Sequence, residues 1–151
     1  MKKGSRRSFL VGGSLAGAAA LLPRTTASAA PAGERAAFPF EEATLEQLQA
    51  AMQKGELTSR ALTQAYLDRI ARLDRSGPEL RHVIETNPEA LKVAGELDEE
   101  RRARGPRGPL HGVPVLLKDN VGTADRMTTT AGSLALEGLI VPRDACVAAR
   151  L

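Results

Sequence analysis

An α/β fold is predicted by three features of the chain. Two capped amphipathic stretches lie between residues 44 and 73. A third helical stripe follows Asn87-Pro88, and two short apolar or β-branched runs, residues 82–86 and 113–117, have strand length. Taken in order these are helix, helix, strand, helix, strand, the alternation of an α/β layer architecture. With 151 residues the chain has room for one domain with a real core and is short for a two-domain enzyme.

Each element has a local cause. Thr44-x-x-Gln47 has the form of a capping box, so a helix is expected over residues 45–54, ending at Gly55 with Leu45, Leu48 and Met52 facing a neighbour. Thr58-Ser59 opens a second helix. Leu62, Ala65, Tyr66, Ile70 and Leu73 share one face and Arg60, Asp68, Arg69 and Arg72 the other, until Ser76-Gly77-Pro78 closes it. His82-Val83-Ile84-Glu85-Thr86 is bounded by turn residues and reads as a strand; His82 has no partner at metal-ligand spacing and reads as structural. Asn87 is the expected N-cap of a third helix, with Pro88 at its first position and Leu91, Ala94 and Leu97 as its buried stripe. That helix is expected to fray through Glu99-Glu100-Arg101-Arg102 before Gly105. Arg104-Gly105-Pro106-Arg107-Gly108-Pro109 lacks the Gly-Lys-Ser/Thr ending of a phosphate loop and reads as a turn.

Charge is divided unevenly. Five of the 21 basic residues (Lys2, Lys3, Arg6, Arg7 and Arg24) precede Ala30 and none of the 18 acidic residues does, so residues 30–151 carry a net charge of −2. No basic face is implied, which argues against a nucleic-acid partner. Residues 1–29 have the charged start, soft apolar middle and Ala27-Ser28-Ala29 ending of a cleavable export signal. Arg6-Arg7, followed by Ser8-Phe9-Leu10, further resembles a twin-arginine signal, which implies the twin-arginine translocase as a partner during export and a periplasmic or extracellular destination. The apolar stretch of 14 residues is short and interrupted by glycine, so no permanent membrane anchor is expected. Residues 30–43 read as a mobile lead-in and residues 44–151 as the folded part. Cys146, the single cysteine, cannot form an internal disulfide and reads as a small apolar residue.

The run Val113-Pro114-Val115-Leu116-Leu117 is apolar throughout, as expected of a strand buried on both faces, with Pro114 calling for an edge or the start of pairing. Lys118 follows it, at the end of the strand where ligands gather in open α/β sheets. Lys118 is then either a surface lysine resuming solvation or an amine desolvated by Leu116 and Leu117 that can take a proton. Asp119 either caps backbone amides of the following loop or holds Lys118 charged, and the capping role is favoured because Asp commonly plays it at loop entries.

Several segments carry a resemblance. Arg107-Gly108-Pro109-Leu110-His111-Gly112-Val113-Pro114-Val115-Leu116-Leu117-Lys118-Asp119-Asn120, then Met127-Thr128-Thr129-Thr130-Ala131-Gly132-Ser133, then Pro142-Arg143-Asp144-Ala145, closely resemble the amidase signature family. The likeness extends back through Tyr66-Leu67-Asp68-Arg69-Ile70, Asn87-Pro88 and Leu97-Asp98-Glu99. It implies a mixed sheet flanked by helices, a small-molecule or peptide amide substrate, no cofactor and no metal. The implied mechanism is a Ser–cis-Ser–Lys triad in which Lys118 activates a nucleophilic serine through a bridging serine. The family's two serines lie in a Gly/Ser-rich segment beyond its TTAGS-like loop. Residues up to Leu151 do not include that segment, so this chain is expected to be the N-terminal portion of the fold and inactive alone. The resemblance puts Gly132 and Ser133 in a supporting loop, which argues against Ser133 as a nucleophile; a Cys146–His111 pair has no further support. Alternatives are a non-catalytic exported binding module or pseudogene product derived from an amidase, and the tRNA amidotransferase subunit, which the export leader disfavours.

Overall fold

The first backbone N–H groups of a helix need partners, and in the first two helices the expected caps, Thr44 and Thr58, each supply one. Thr44 Oγ1 accepts from the Gln47 N–H at 3.3 Å while Gln47 Oε1 accepts from the Thr44 N–H at 2.9 Å, closing the capping box of α1, Leu45–Gln53. Thr58 Oγ1 accepts from the Ala61 N–H at 3.0 Å and opens α2, Ser59–Leu73. The third helix, α3, is Ala90–Arg104. These elements belong to a computed structural model that describes residues 37–151. The expected export signal with Arg6 and Arg7, and the first part of the lead-in, lie outside the described residues.

Two expectations for α3 are corrected. Asn87 does not cap it: its Oδ1 accepts from the Glu89 N–H at 2.8 Å in a tight turn that occupies Pro88 and Glu89, and the helix starts at Ala90. Nor does it fray through Arg102. Arg107, beyond the helix end, forms a two-pronged ion pair with Glu100, one prong being Nε to Oε1 at 2.6 Å, and Gly105 ends the helix at φ +79°.

The core is small and aliphatic. Leu48 and Met52 of α1 and Leu62 of α2 form its buried cluster, with Phe40, Ala43, Leu57, Tyr66 and Val113 packed around it. Phe38 is buried as well, edge-on to Tyr66 at 5.0 Å and beneath the Arg69 guanidinium at 4.4 Å, so the lead-in is docked on α2 from this residue onward.

Polar contacts join α3 to the other helices. Both Asp98 oxygens accept from the first N–H groups of α2, Ser59 at 2.6 Å and Arg60 at 3.0 Å, placing a carboxylate at the positive end of that helix. Arg101 donates to Gln49 Oε1 and to the His111 carbonyl, each at 2.8 Å, and Gln49 Nε2 donates to the carbonyls of Pro109 and His111. The turn before residue 113 is therefore held by side chains of α1 and α3.

Among the described residues no β-strand forms, so the mixed sheet is absent there and neither expected strand is realised. An extended run becomes a strand only by pairing. In residues 82–86 the backbone is engaged otherwise: the His82 and Val83 N–H groups donate to the buried Asp74 carboxylate, and the Val83 and Ile84 carbonyls accept from Arg75 at 2.7 Å. Residues 113–117 find no partner strand, and Leu116 is 76% exposed where burial on both faces was expected.

Candidate active site

The loop that follows Lys118 is built from short polar side chains that accept backbone hydrogen bonds. Asp125 accepts from the Met127 N–H at 2.8 Å and the Thr123 hydroxyl at 3.0 Å, and Asp144 from the Ala124 N–H at 2.6 Å. Two contacts tie the loop back toward α3: Glu85 accepts from both the N–H and the hydroxyl of Thr128, and Asn87 Nδ2 donates to Asp125 at 3.2 Å. The Thr129 N–H donates to the Leu139 carbonyl at 2.9 Å, and the Ala145 N–H to the Gly122 carbonyl at 2.9 Å. Acidic side chains thus do for this irregular segment what a ladder does for a sheet.

Within it Asp119 faces Thr130. Its Oδ2 accepts from the Thr130 hydroxyl at 2.6 Å and its Oδ1 from the Thr130 N–H at 3.2 Å. Donation by the hydroxyl, then by the backbone, holds the Asp119 carboxyl below the usual carboxylate range. The Asp119 carbonyl accepts from the Ala131 N–H at 3.2 Å.

Lys118 is exposed, and so are Leu116 and Leu117, so the apolar enclosure expected around the amine is not supplied by residues 37–151. Its carbonyl accepts from the Val121 N–H at 2.9 Å; among the described residues its ammonium group has no hydrogen bond or ion pair, Asp119 included. Gly132, at φ +76°, and Ser133 lie in an exposed turn closed by the Ser133 N–H donating to the Thr130 carbonyl at 2.9 Å. The structure therefore brings Asp119, Gly132 and Ser133 together through Thr130, and leaves Lys118 beside them with its side chain free.

The other candidates are accounted for. His111 is buried with both ring nitrogens engaged: Nδ1 accepts from the Arg107 N–H at 3.3 Å, so Nε2 carries the proton and donates to the Leu97 carbonyl at 2.9 Å. It has no nitrogen left for Cys146, which is exposed and free. His82 is exposed, 4.0 Å from Asp74. Among the described residues no group of three or more His, Cys, Asp or Glu is placed to hold a metal ion, and no helix is long and apolar enough to cross a membrane. The roles of Thr130, Glu85 and Asp125 were missed from sequence: Glu85 stood in an expected strand, Thr130 in a segment that carried only the resemblance, and Asp125 was not singled out. The one available signal was the Thr128-x-Thr130 alternation opposite two acids.

The profile of the family described as Amidase matches residues 61–151, which include Lys118, Asp119, Gly132 and Ser133. The chain belongs to the amidase family. The chain is 59% identical to the native peptide amidase from Stenotrophomonas maltophilia and superimposes on it with a TM-score of 0.72, covering 76% of this chain and 23% of the peptide amidase. A structure of the peptide amidase in complex with the competitive inhibitor chymostatin is 60% identical, with a TM-score of 0.71 over the same shares. A glutamyl-tRNA(Gln) amidotransferase subunit from Renibacterium salmoninarum is 48% identical over 101 residues, 66% of this chain and 19% of that protein. The chain spans 17% to 22% of the length of the curated amidase relatives it matches.

Proposed function

We propose that this chain is the N-terminal part of an exported amidase that hydrolyses a carboxamide C–N bond, with Lys118 as the general base of the complete enzyme. The observation that carries the reading is the 59% identity to a peptide amidase across 76% of the chain, well above the likeness to the amidotransferase subunit. The substrate class is then a small-molecule or peptide amide, and the Arg6-Arg7 leader delivers the folded protein through the twin-arginine translocase to the periplasm or beyond.

A lysine takes a proton only as the neutral amine, the form that burial favours. Lys118 is exposed in this chain, so its enclosure, the two serines and the oxyanion donors come from the rest of the amidase, where residues 113–117 gain partner strands in the mixed sheet. There the amine draws the proton of the nucleophilic serine through the bridging serine. The serine oxygen attacks the amide carbonyl, the substrate's leaving amine takes the proton that Lys118 had accepted, and water releases the acyl group. This chain alone is inactive.

The test is Lys118→Ala in the product of the complete reading frame, assayed for release of ammonia or amine. Turnover is expected to vanish while the circular dichroism spectrum keeps the native helical content, so that the loss is one of chemistry and not of fold. Near-normal turnover by the variant refutes the assignment. A complete protein that hydrolyses no amide at all replaces it with a non-catalytic exported module.

A further inference from the structure

Thr130 makes more use of one hydroxyl than any other loop residue near Lys118. Its Oγ1 donates to Asp119 Oδ2 at 2.6 Å and accepts from the Gly132 N–H at 3.2 Å, while its own N–H donates to Asp119 Oδ1 at 3.2 Å and its carbonyl accepts from Ser133. The next residue, Ala131, sits at φ +51°, a region that a residue with a Cβ rarely occupies, and from it donates its N–H to the Asp119 carbonyl. Lys118 is thus fastened twice on its C-terminal side. Its own carbonyl is held by Val121, and its neighbour is held through both side chain and backbone by Thr130 and Ala131.

From this geometry we infer that Thr130 is a positioning residue for Lys118, acting through Asp119. It does so in two ways. It anchors the backbone that carries the amine, and it keeps both carboxylate oxygens turned toward residue 130 so that they do not pair with the adjacent ammonium group. A base misplaced by about 1 Å loses up to roughly a hundredfold in rate, and a carboxylate released beside an ammonium group would compete for it. The hydroxyl is the part that matters: valine has threonine's shape without it, and serine keeps it. The catalytic half of the inference rests on the proposed base role of Lys118, whereas the structural half stands on this chain alone.

The experiment separates the two. In the 151-residue chain, backbone 15N order parameters of residues 118–120 and 130–133 are measured for the native protein, Thr130→Val and Thr130→Ser. Loss of order at residues 118–120 in the valine chain, with the helical amides unchanged and order restored by serine, is expected; unchanged order in the valine chain overturns the inference. Should the valine chain fail to fold, Asp119→Asn, which weakens the same clip from the other side, carries the same expectation and the same refutation. In the complete amidase, Thr130→Val lowers kcat by about tenfold or more with KM unchanged and Thr130→Ser recovers most of it, the scale of a lost hydrogen bond to a charged group. An equal loss in both variants overturns positioning by the hydroxyl. If the complete protein hydrolyses no amide, the function proposed for Lys118 fails while the order measurement still decides the clip.

Discussion

Gly112→Ala probes the contact that sets the turn leading into residues 113–117. Gly112 is buried at φ +76°, and a Cβ built there would stand 1.9 Å from Ser59 Oγ and 2.9 Å from Ser59 Cβ. Ser59 cannot yield: it is 0% exposed, its N–H is held by Asp98, and its Oγ sits 4.0 Å from Met52 Sδ in the core. The left-handed backbone alone costs an alanine about 1–2 kcal/mol. Forcing a methyl group into packed space adds about 1–3 kcal/mol, for a total of roughly 2–5 kcal/mol. Gly55→Ala is the internal control, since Gly55 has nearly the same φ, +75°, with nothing within 4 Å of an added Cβ, and should show only the backbone cost. In urea titrations followed by circular dichroism, with a slope of about 1–3 kcal/mol/M, Gly112→Ala should lower the midpoint by about 1 M or more. Equal midpoints for the two variants would falsify the claim that α2 and this turn meet without slack.

Further outcomes follow from the polar contacts. Asp98→Ala removes two charge-assisted bonds from the start of α2 and should destabilise the chain by about 1.5–3 kcal/mol, more than the ~1 kcal/mol expected of Thr58→Ala at the same helix end; the reverse order in thermal melts would contradict the role given to Asp98. Asp119, through the Thr130 hydroxyl, and Glu100, through its bond from Arg107, both have folded-state carboxyl pKa values below the usual range. Each therefore stabilises the fold above the unfolded carboxylate pKa of about 4, and that contribution is lost as pH falls through the lower folded value. Melting temperature should drop on acidification below about pH 4, and carboxyl NMR titrations should place both groups beneath their own values in the urea-unfolded chain. Titration of folded Asp119 at its unfolded value would remove the Thr130 clip.

Sequence by itself determined the elements whose causes are local. The Thr44-x-x-Gln47 box and the Thr58 cap act within three residues of their donors, so α1 and α2 begin where their signals stand. The order of residues around Lys118 likewise marked the family, because that likeness is a property of the string. Tertiary structure decided whatever depends on a distant partner. Residues 82–86 and 113–117 have strand composition, yet pairing requires another strand; the first run is taken by Asp74 and Arg75, and the second has no partner among residues 37–151. The length of α3 turned on Arg107 reaching back to Glu100. Lys118 shows the division most directly. Its place after an apolar run was legible, but burial is a property of what surrounds a side chain, and only the folded chain shows the amine standing free beside an Asp119 already bound to Thr130.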